Sequence, residues 1–296
     1  MAPALSAVLF ISPRAFLRRH LAAPLLGLES PLAGRTVLVT GASSGIGEAT
    51  AREVAARGGT VLLVARRAEA LERVREAIEE AGGTAHAYAC DLTDAEATDA
   101  LVARLLEEHG AVDLLVNNAG RSIRRSLEFS YDRMHDFERT MAVNYFAPVR
   151  LILGLLPAMR AQRFGHVVNV VTWGVQIKAP RFAAYIASKT ALDTFSRIAG
   201  RETYGDNVTF TNLRLDLVRT GMIAETDVYR RSPAKTPEQA AALVVRALED
   251  RPLTVNTWVG DVAEVLNLAF PRLMDAISAT ASKRFPDSAA ARGQRE

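Results

Sequence analysis

The 296-residue sequence predicts an α/β fold in which a parallel sheet of seven strands carries helices on both faces, the doubly wound arrangement. Two observations support this prediction. From Arg35 onward, short runs rich in β-branched residues alternate with amphipathic stretches long enough for helices, a pattern typical of βαβ units. A glycine-rich turn directly follows the first of these runs and opens the first helical stretch.

Each strand is predicted from a short β-branched or apolar run. In chain order the predicted strands are 36–39, 60–64, 84–89, 113–116, 166–171, 208–213 and 253–255. Between the second and third strands, Leu71, Val74 and Ile78 recur at helical spacing, and Gly82 follows as the stop signal.

Two later helices have signals of their own. Thr93 followed by Glu96 predicts a capping box that opens the helix after the third strand. Residues 182–204 have the pattern of one long helix.

The chain is predicted to hold one main domain, residues 31–260, because we find neither an internal repeat nor a flexible linker. An apolar and basic arm, residues 1–30, precedes this domain. Residues 261–296 follow as a mostly apolar helical segment and a tail, of which the last ten residues are expected to be disordered.

The N-terminal arm places its basic group, Arg14, Arg18 and Arg19, after an apolar stretch. A secretory signal has the opposite order, so that interpretation is excluded. Two interpretations remain: a helical arm packed on the domain or on a second subunit, and an interfacial anchor at a lipid surface.

Composition excludes several classes of function. The 36 basic and 33 acidic residues alternate along most of the chain, so the sequence shows no basic cluster of the kind that binds nucleic acid. A single cysteine, Cys90, excludes an intramolecular disulfide framework and a cysteine-based zinc site, and no metal is implied. The uncharged stretches 1–13 and 164–177 are shorter than the roughly 18–20 apolar residues of a spanning helix. We expect a cytoplasmic protein, with peripheral membrane contact left open.

The glycine-rich turn has the composition of a phosphate-binding loop. Glycines let the backbone approach a pyrophosphate closely, and the helix N-terminus offers free N–H groups and a positive dipole end. Such turns also occur for packing reasons, but the position between a strand and a helix favours a Rossmann-type dinucleotide site. The residues predicted to line this site are Gly41, Ser43, Ser44, Gly45, Ile46 and Gly47.

The end of the second strand indicates which dinucleotide is bound. An NAD-preferring site places an acidic residue there, whereas this sequence has Arg66 and Arg67. A guanidinium pairs well with a 2′-phosphate, so NADP(H) is favoured over NAD(H). The alternative, that the arginine merely starts a solvated helix, applies better to Arg67 than to Arg66.

These motifs, with Asn-Asn-Ala-Gly at 117–120 and Tyr185-x-x-x-Lys189, resemble the short-chain dehydrogenase/reductase family over most of residues 31–260. The resemblance implies association into a homodimer or homotetramer through the long helices. The cofactor contacts that it implies are Asp91 and Leu92 at the adenine, Asn118, Ala119 and Gly120 beside it, and Val218 and Thr220 at the nicotinamide and its phosphates.

Tyr185 and Lys189 are four residues apart on a predicted helix, so their side chains project from one face. We expect the Lys189 ammonium to lower the pKa of the Tyr185 phenol. In the reductive direction, Tyr185 is assigned to protonate the carbonyl oxygen as hydride arrives. Lys189 is also expected to hold the nicotinamide ribose hydroxyls. Both residues are therefore catalytic and cofactor-binding candidates.

Asn144 lies inside a helical stretch, where asparagine is unfavourable because it competes for backbone hydrogen bonds. The resemblance implies that its backbone, at a helix irregularity, holds a water that connects Lys189 to solvent. The alternative is a polar residue that is simply hydrogen-bonded within the fold.

Two positions depart from the family pattern. The family's catalytic serine is replaced by Thr172, which keeps a hydroxyl but adds a methyl group. We expect Thr172 to retain the serine's role. After the sixth strand, Leu215-Asp216 replaces Pro-Gly, and Asp216 either alters the nicotinamide contact or points outward.

Longer strings, at 117–125, 132–141, 181–185, 217–224 and 284–286, resemble bacterial fatty acyl-CoA reductases that form aldehydes. This first hypothesis implies a lipid-derived carbonyl substrate, and Arg121, Arg124 and Arg125 are candidates to meet CoA phosphates. The alternative interpretation is that those arginines lie on a solvated loop and bind no ligand. The second hypothesis is a generic reductase of ketones, 3-oxoacyl groups or steroid-like alcohols, and the third is a non-catalytic cofactor-binding scaffold.

Overall fold

The computed structural model describes residues 29–221, 233–283 and 287. Within them the strands are β1 Thr36–Thr40, β2 Thr60–Ala65, β3 Thr84–Ala89, β4 Leu114–Asn117, β5 Gly165–Thr172, β6 Val208–Leu215 and β7 Thr254–Val255. The α-helices are α1 Gly45–Ala55, α2 Ala68–Glu80, α3 Ala95–His109, α4 Met134–Met141, α5 Ala147–Ala161, α6 Gly174–Ile177, α7 Ala183–Glu202, α8 Pro237–Asp250, α9 Trp258–Ala269 and α10 Pro271–Lys283.

The seven strands form one parallel sheet in the order β3-β2-β1-β4-β5-β6-β7, which confirms the predicted fold class. The order reverses between β1 and β4, so the loops that leave these two strands diverge and open a crevice at the carboxyl edge of the sheet. This crevice is where doubly wound proteins bind ligands, and the glycine-rich turn after β1 lies there.

Alternation along the strands divides the core into two layers, one on each face of the sheet. Val39 and Leu63 face the layer that packs under α1, α2 and α8. Leu38 and Leu62 face the opposite layer, under α3, α5 and α7. All four side chains are fully buried, as expected for a parallel sheet that is covered on both faces.

All seven predicted strands are confirmed, most with ends one or two residues away from those expected. Gly82 adopts a φ of +81° just past α2, as a helix stop does. The predicted capping box at Thr93 is wrong, because Asp94 is the N-cap of α3 and its carboxylate accepts from the Ala97 N–H. The Thr93 hydroxyl instead donates to Asp91.

The helix that carries Asn144 is continuous from α4 through a π-helical turn, Ala142–Phe146, into α5. By length and composition alone, Met134–Ala161 is apolar enough to cross a membrane. Fully buried Leu151 and Leu155 show instead that α5 packs as a core helix of the domain.

Both ends of the chain lie partly outside the described residues. Residues 1–28, which make up most of the predicted arm, are outside, and the predicted boundaries of the three segments stay predictions. Asp287 belongs to the ten residues expected to be disordered, yet its buried carboxylate accepts from the Ser126 N–H and lies 3.3 Å from Arg181. The expectation is therefore wrong at Asp287, because the carboxylate finds two partners on the body of the domain.

Candidate active site

The turn between β1 and α1 has the geometry of a cradle for phosphate groups. Gly41 and Gly45 adopt φ values of +67° and +57°, a region that favours glycine. A Cβ at Gly47 would lie 2.2 Å from the Gly41 carbonyl oxygen, so only glycine fits there. Ser44 is the N-cap of α1 and makes no side-chain capping hydrogen bond. The first N–H groups of α1 therefore suit an anion, and the cradle fits a dinucleotide pyrophosphate.

The loop after β4 is tied to the glycine turn. The N–H groups of Asn118 and Ala119 both donate to the Thr40 hydroxyl at 3.0 Å. The Asn118 side-chain amide donates to the Thr40 carbonyl at 2.9 Å. A Cβ on Gly120 would lie 3.0 Å from Asn144 Oδ1 and 3.4 Å from Lys189 Nζ. The predicted cofactor loop and catalytic group thus meet at Gly120.

The residues predicted to select NADP(H) lie beside this turn. Arg66 is 77% exposed, and its guanidinium lies 3.9 Å from the carboxylate of Asp91. Arg67 is the residue before α2, and its guanidinium donates to the Ser43 hydroxyl at 3.4 Å. Hydrogen bonds from Thr93 lower the pKa of Asp91, because they stabilise the carboxylate. Arg67 therefore contacts the glycine turn, whereas Arg66 lies near Asp91 at the end of β2.

Tyr185 lies in the first turn of α7, and its phenol lies close enough to the Thr172 hydroxyl at the end of β5 for that hydroxyl to lower the phenol pKa. Thr172 Oγ1 also accepts from the Gly174 N–H at 3.1 Å, so its hydroxyl is oriented from a second side. The Thr172 methyl carbon lies 3.3 Å from the position that a Cβ would occupy at Gly174. The extra methyl group of threonine is therefore accommodated by a glycine two residues later.

Lys189 follows one helical turn after Tyr185 and is 4% exposed. Its ammonium donates to the Val170 carbonyl at 2.8 Å. Burial lowers the pKa of Lys189 to about 8 and raises the pKa of Tyr185 to about 12. The expectation that Lys189 lowers the phenol pKa is wrong, because desolvation is the larger effect and only the Thr172 hydroxyl opposes it. The phenol is consequently protonated at neutral pH.

Asn144 lies in the π-helical turn, at the helix irregularity that the family resemblance implied. Its side chain is fully used: Oδ1 accepts from the Arg121 N–H, while Nδ2 donates to the Arg121 carbonyl and to the Ser188 hydroxyl, all at 2.9 Å. Ser188 in turn donates to the Tyr185 carbonyl at 2.7 Å. Asn144 thus joins the loop after β4 to α7, the helix that carries Tyr185 and Lys189.

The second departure from the family pattern is resolved by an ion pair. The carboxylate of Asp216 points toward Lys235 and binds its ammonium at 2.6 Å. Val218 is buried and forms a parallel bridge with Lys235. Thr220 lies against the glycine turn, with its methyl 3.2 Å from the Cβ position of Gly45. Leu92, the remaining predicted cofactor contact, packs in the core layer beside Asp91.

A row of asparagines under the site was missed in the sequence. Asn117, Asn169 and Asn212 are in register on β4, β5 and β6 and are buried. Asn117 donates to Asn169 at 2.9 Å, and Asn212 accepts from Ser196 of α7 at 2.5 Å. The available signal was an asparagine inside each of three successive apolar strands.

Helix α9 is amphipathic with its polar side turned inward. Asp261 and Glu264 accept hydrogen bonds from Gln176 of α6 at 3.1 and 2.9 Å. Asn267 donates to the carbonyl of the same glutamine at 3.0 Å. The large apolar side chains that α9, α10 and the residue between them expose are Trp258, Val259, Val262, Val265, Leu266, Leu268, Phe270, Leu273 and Ile277. The polar side of α9 therefore packs on α6, and its apolar side forms part of an exposed apolar surface.

The arginines predicted to meet CoA phosphates differ in their surroundings. The Arg125 guanidinium is mostly buried and lies 3.5 Å from Asp136. Its backbone N–H donates to the Arg181 carbonyl at 2.7 Å. Arg121 is exposed at the rim of the site, and Arg124 is partly exposed. Arg121 and Arg124 are therefore better placed than Arg125 to reach a ligand in solution.

Comparison with known proteins agrees with this geometry. The family model that matches residues 35–230 is described as short chain dehydrogenase. An uncharacterized oxidoreductase of Mycobacterium tuberculosis is 48% identical over 285 residues, 95% of this chain and 84% of that protein. A protein named fatty acyl-CoA reductase, from Acinetobacter baylyi, is 46% identical over 263 residues, 89% of this chain and 89% of that protein.

Solved structures give the same assignment. A short-chain dehydrogenase from Streptomyces avermitilis superposes with a TM-score of 0.71 at 30% identity, covering 86% of this chain and all of that one. A metagenomic short-chain oxidoreductase in complex with NADP has a TM-score of 0.64 at 33% identity, covering 74% of this chain and 92% of that one.

Proposed function

Because the chain belongs to the short-chain dehydrogenase family, we propose that this NAD(P)-dependent oxidoreductase uses NADPH to reduce fatty acyl-CoA thioesters or long-chain aldehydes. The observation that carries the substrate class is the likeness to the Acinetobacter baylyi fatty acyl-CoA reductase, which spans about nine-tenths of both chains. The geometry of Tyr185, Thr172 and Lys189 supports carbonyl reduction, and the relative narrows the carbonyl to a lipid-derived one.

The proposed residues act on the carbonyl oxygen. When bound, the nicotinamide supplies hydride. The Tyr185 phenol, protonated at neutral pH, gives its proton to the oxygen as negative charge develops there. The Thr172 hydroxyl, which lies beside that phenol, positions the same oxygen. Lys189 supplies positive charge one helical turn away, and Asn144 holds the catalytic helix against the loop after β4.

A thioester can be reduced by this group without a cysteine nucleophile. Hydride adds to the thioester carbonyl carbon, and Tyr185 protonates the oxygen to give a hemithioacetal. The hemithioacetal then releases the CoA thiol and leaves the aldehyde. Cys90 is unsuited to form a covalent acyl intermediate, because it is buried and burial raises the pKa of its thiol.

Selection of NADPH is proposed to rest on Arg66. Its exposed guanidinium lies at the end of β2, where its contact with Asp91 is long at 3.9 Å, and we propose that it binds a 2′-phosphate. The remaining proposed cofactor contacts come from the glycine turn, from Asp91 and Leu92, from the loop Asn118 to Gly120, and from Lys189, Val218 and Thr220. Substituting Arg66 with glutamine should raise the KM for NADPH severalfold and leave the KM for NADH unchanged.

Two apolar surfaces support proposals about partners. Phe146, Leu153 and Ile198 are exposed on the π turn, α5 and α7, and we assign them to a homodimer or homotetramer interface. The outward apolar side of α9 and α10 is assigned to peripheral contact of this cytoplasmic enzyme with a lipid surface, from which long-chain substrates would enter.

The two surfaces provide controls for each other. Leu153→Asp should lower the sedimentation-derived mass and leave binding to liposomes unchanged. Val265→Asp should weaken binding to liposomes and leave the sedimentation-derived mass unchanged. Liposome binding that is unchanged by Val265→Asp would contradict the lipid-surface proposal for α9 and α10. Liposome binding that is unchanged by deletion of residues 1–28 would contradict the lipid-anchor interpretation of the N-terminal arm.

The decisive experiment follows NADPH absorbance against palmitoyl-CoA, a long-chain aldehyde and a panel of cyclic ketones. Tyr185→Phe is the blank, and Tyr204→Phe, at a tyrosine exposed beyond the end of α7, is the matched control. Oxidation of NADPH with the acyl-CoA, lost in the blank and kept in the control, is the expected result. Turnover of ketones alone would favour a generic reductase, and NADPH binding without any turnover would favour a binding scaffold.

A further inference from the structure

Asp216 and Lys235 join two segments of the chain beside the cofactor cradle. Lys235 Nζ lies 2.7 and 2.6 Å from the two carboxylate oxygens of Asp216. Two backbone hydrogen bonds run alongside this pair: the Arg219 N–H donates to the Lys235 carbonyl, and the Lys235 N–H donates to the Leu217 carbonyl, both at 2.9 Å. The turn after β6 is thus held by side chains and by backbone together.

This turn connects the catalytic strand to the glycine loop. At its start, Leu215 pairs in register with Thr172, and the Leu215 carbonyl accepts from the Trp173 N–H at 2.9 Å. At its far end, the Thr220 methyl group lies 3.2 Å from the Cβ position of Gly45. A shift of the turn would therefore move Val218 and Thr220, which are proposed to hold the nicotinamide. It would also change the contact of Thr220 with the glycine turn.

We propose that the Asp216–Lys235 ion pair is a positioning device that holds Val218 and Thr220 in place for the cofactor and so sets the affinity for NADPH. This inference rests on the proposed function. A bare carboxylate beside an anionic cofactor would be repulsive, and Lys235 neutralises it. An ion pair of this exposure contributes little to stability by itself. Its effect is accordingly expected in cofactor binding rather than in unfolding.

Asp216→Asn separates positioning from simple electrostatics. Removal of a negative charge near NADPH should, by charge alone, leave its binding unchanged or tighten it. A positioning role predicts the opposite, a Kd for NADPH about fivefold higher, with little change in the unfolding temperature. The Kd is measured by NADPH fluorescence titration of the full chain without substrate. A Kd equal to or below that of the wild type would overturn the proposal.

Three further variants and one control variant complete the test. Lys235→Met should weaken NADPH binding, and Lys235→Arg should restore most of it. The double variant Asp216→Asn with Lys235→Met should bind no more weakly than the weaker single variant, because the two residues act as one unit. Asp206→Asn is the matched control. Asp206 forms an ion pair with Arg160 at 2.6 Å, and it precedes β6, at the opposite end of that strand from the cradle. Equal losses in the control and in Asp216→Asn would also overturn the proposal.

The titration is independent of the substrate assignment. A wild-type protein that binds NADPH but turns over no acyl-CoA contradicts the proposed substrate and leaves this test intact. A preference for NADH contradicts the proposed cofactor, and the same titration with NADH then decides the role of the ion pair. If Asp216→Asn fails to fold, the two Lys235 variants test the proposal: equal Kd values of Lys235→Met and Lys235→Arg for NADPH would contradict it.

Discussion

The two halves of the sheet are built from different chemistry. In the nucleotide half, β1 and β2 bury an unbroken aliphatic set from Val37 to Val39 and from Val61 to Val64. In the catalytic half, β5 and β6 have Asn169 and Asn212 as fully buried residues that face each other in register. His166 is also buried there, and burial lowers its pKa to about 3, so the ring is neutral.

The difference shows where position matters more than burial. An aliphatic strand is held by non-directional packing, which tolerates small shifts. A buried amide must keep its hydrogen bonds, so a network of such groups fixes the strand relative to the helix above it. In this protein the network lies beneath Lys189 and Thr172, where the proposed reaction needs fixed geometry. The phosphate cradle, by contrast, obtains its geometry from glycine backbone.

The largest expected effect is that of Lys189→Met. Removing the ammonium should lower kcat about 10³-fold, within the range of general acid–base contributions. It should also raise the free energy of unfolding, because a desolvated charge is replaced by an apolar chain of similar length. Steady-state kinetics and urea unfolding measure the two effects. A variant that loses stability along with activity would show that Lys189 is a structural member of the network.

The next effect compares one buried residue from each half. Leu63→Ala, in the aliphatic core, should lower the free energy of unfolding by about 2–5 kcal/mol and leave kcat unchanged at saturating NADPH. Asn169→Ala should lower the free energy of unfolding by about 1–3 kcal/mol, because Asn117 loses its acceptor.

Asn169→Ala should also lower kcat severalfold, since Asn169 adjoins the Val170 carbonyl that holds Lys189. Urea unfolding and kcat at saturating NADPH are measured for both variants. If both lower kcat in proportion to lost stability, the contrast between the halves disappears.

A smaller effect tests the cradle. Gly47→Ala places a Cβ 2.2 Å from the Gly41 carbonyl oxygen, so the turn must open. Forced overpacking costs about 1–3 kcal/mol, which corresponds to roughly a 5- to 150-fold weaker Kd for NADPH. Gly205→Ala is the matched control, because its Cβ would meet no atom within 4 Å. Isothermal titration of both variants with NADPH measures the difference, and equal affinities would contradict the cradle geometry.

The sequence predicted the aliphatic half more fully than the polar half. Period, β-branching and glycine position are local signals, and they located all seven strands of the described residues and the glycine turn after β1. The partners of Asn169 and Asp216 depend on strand register and on where the chain returns at Lys235, which no local pattern encodes. The pKa of Tyr185 was mispredicted for the same reason, since its desolvation depends on packing by residues distant in sequence.

The smallest effect on activity is a pH dependence, and it has opposite signs for activity and stability. Burial lowers the pKa of Lys189 from 10.5 to about 8, so above pH 8 the folded protein holds fewer protons than the unfolded chain. Stability contributed by this site therefore rises between pH 8 and pH 10.5, and the stability advantage of Lys189→Met over the wild type should shrink there. The kcat, which needs the ammonium, should fall to about a quarter between pH 7 and pH 8.5. Urea unfolding of both proteins and the pH profile of kcat test the two signs, and a stability difference constant from pH 7 to pH 10 would show that Lys189 keeps its ordinary pKa.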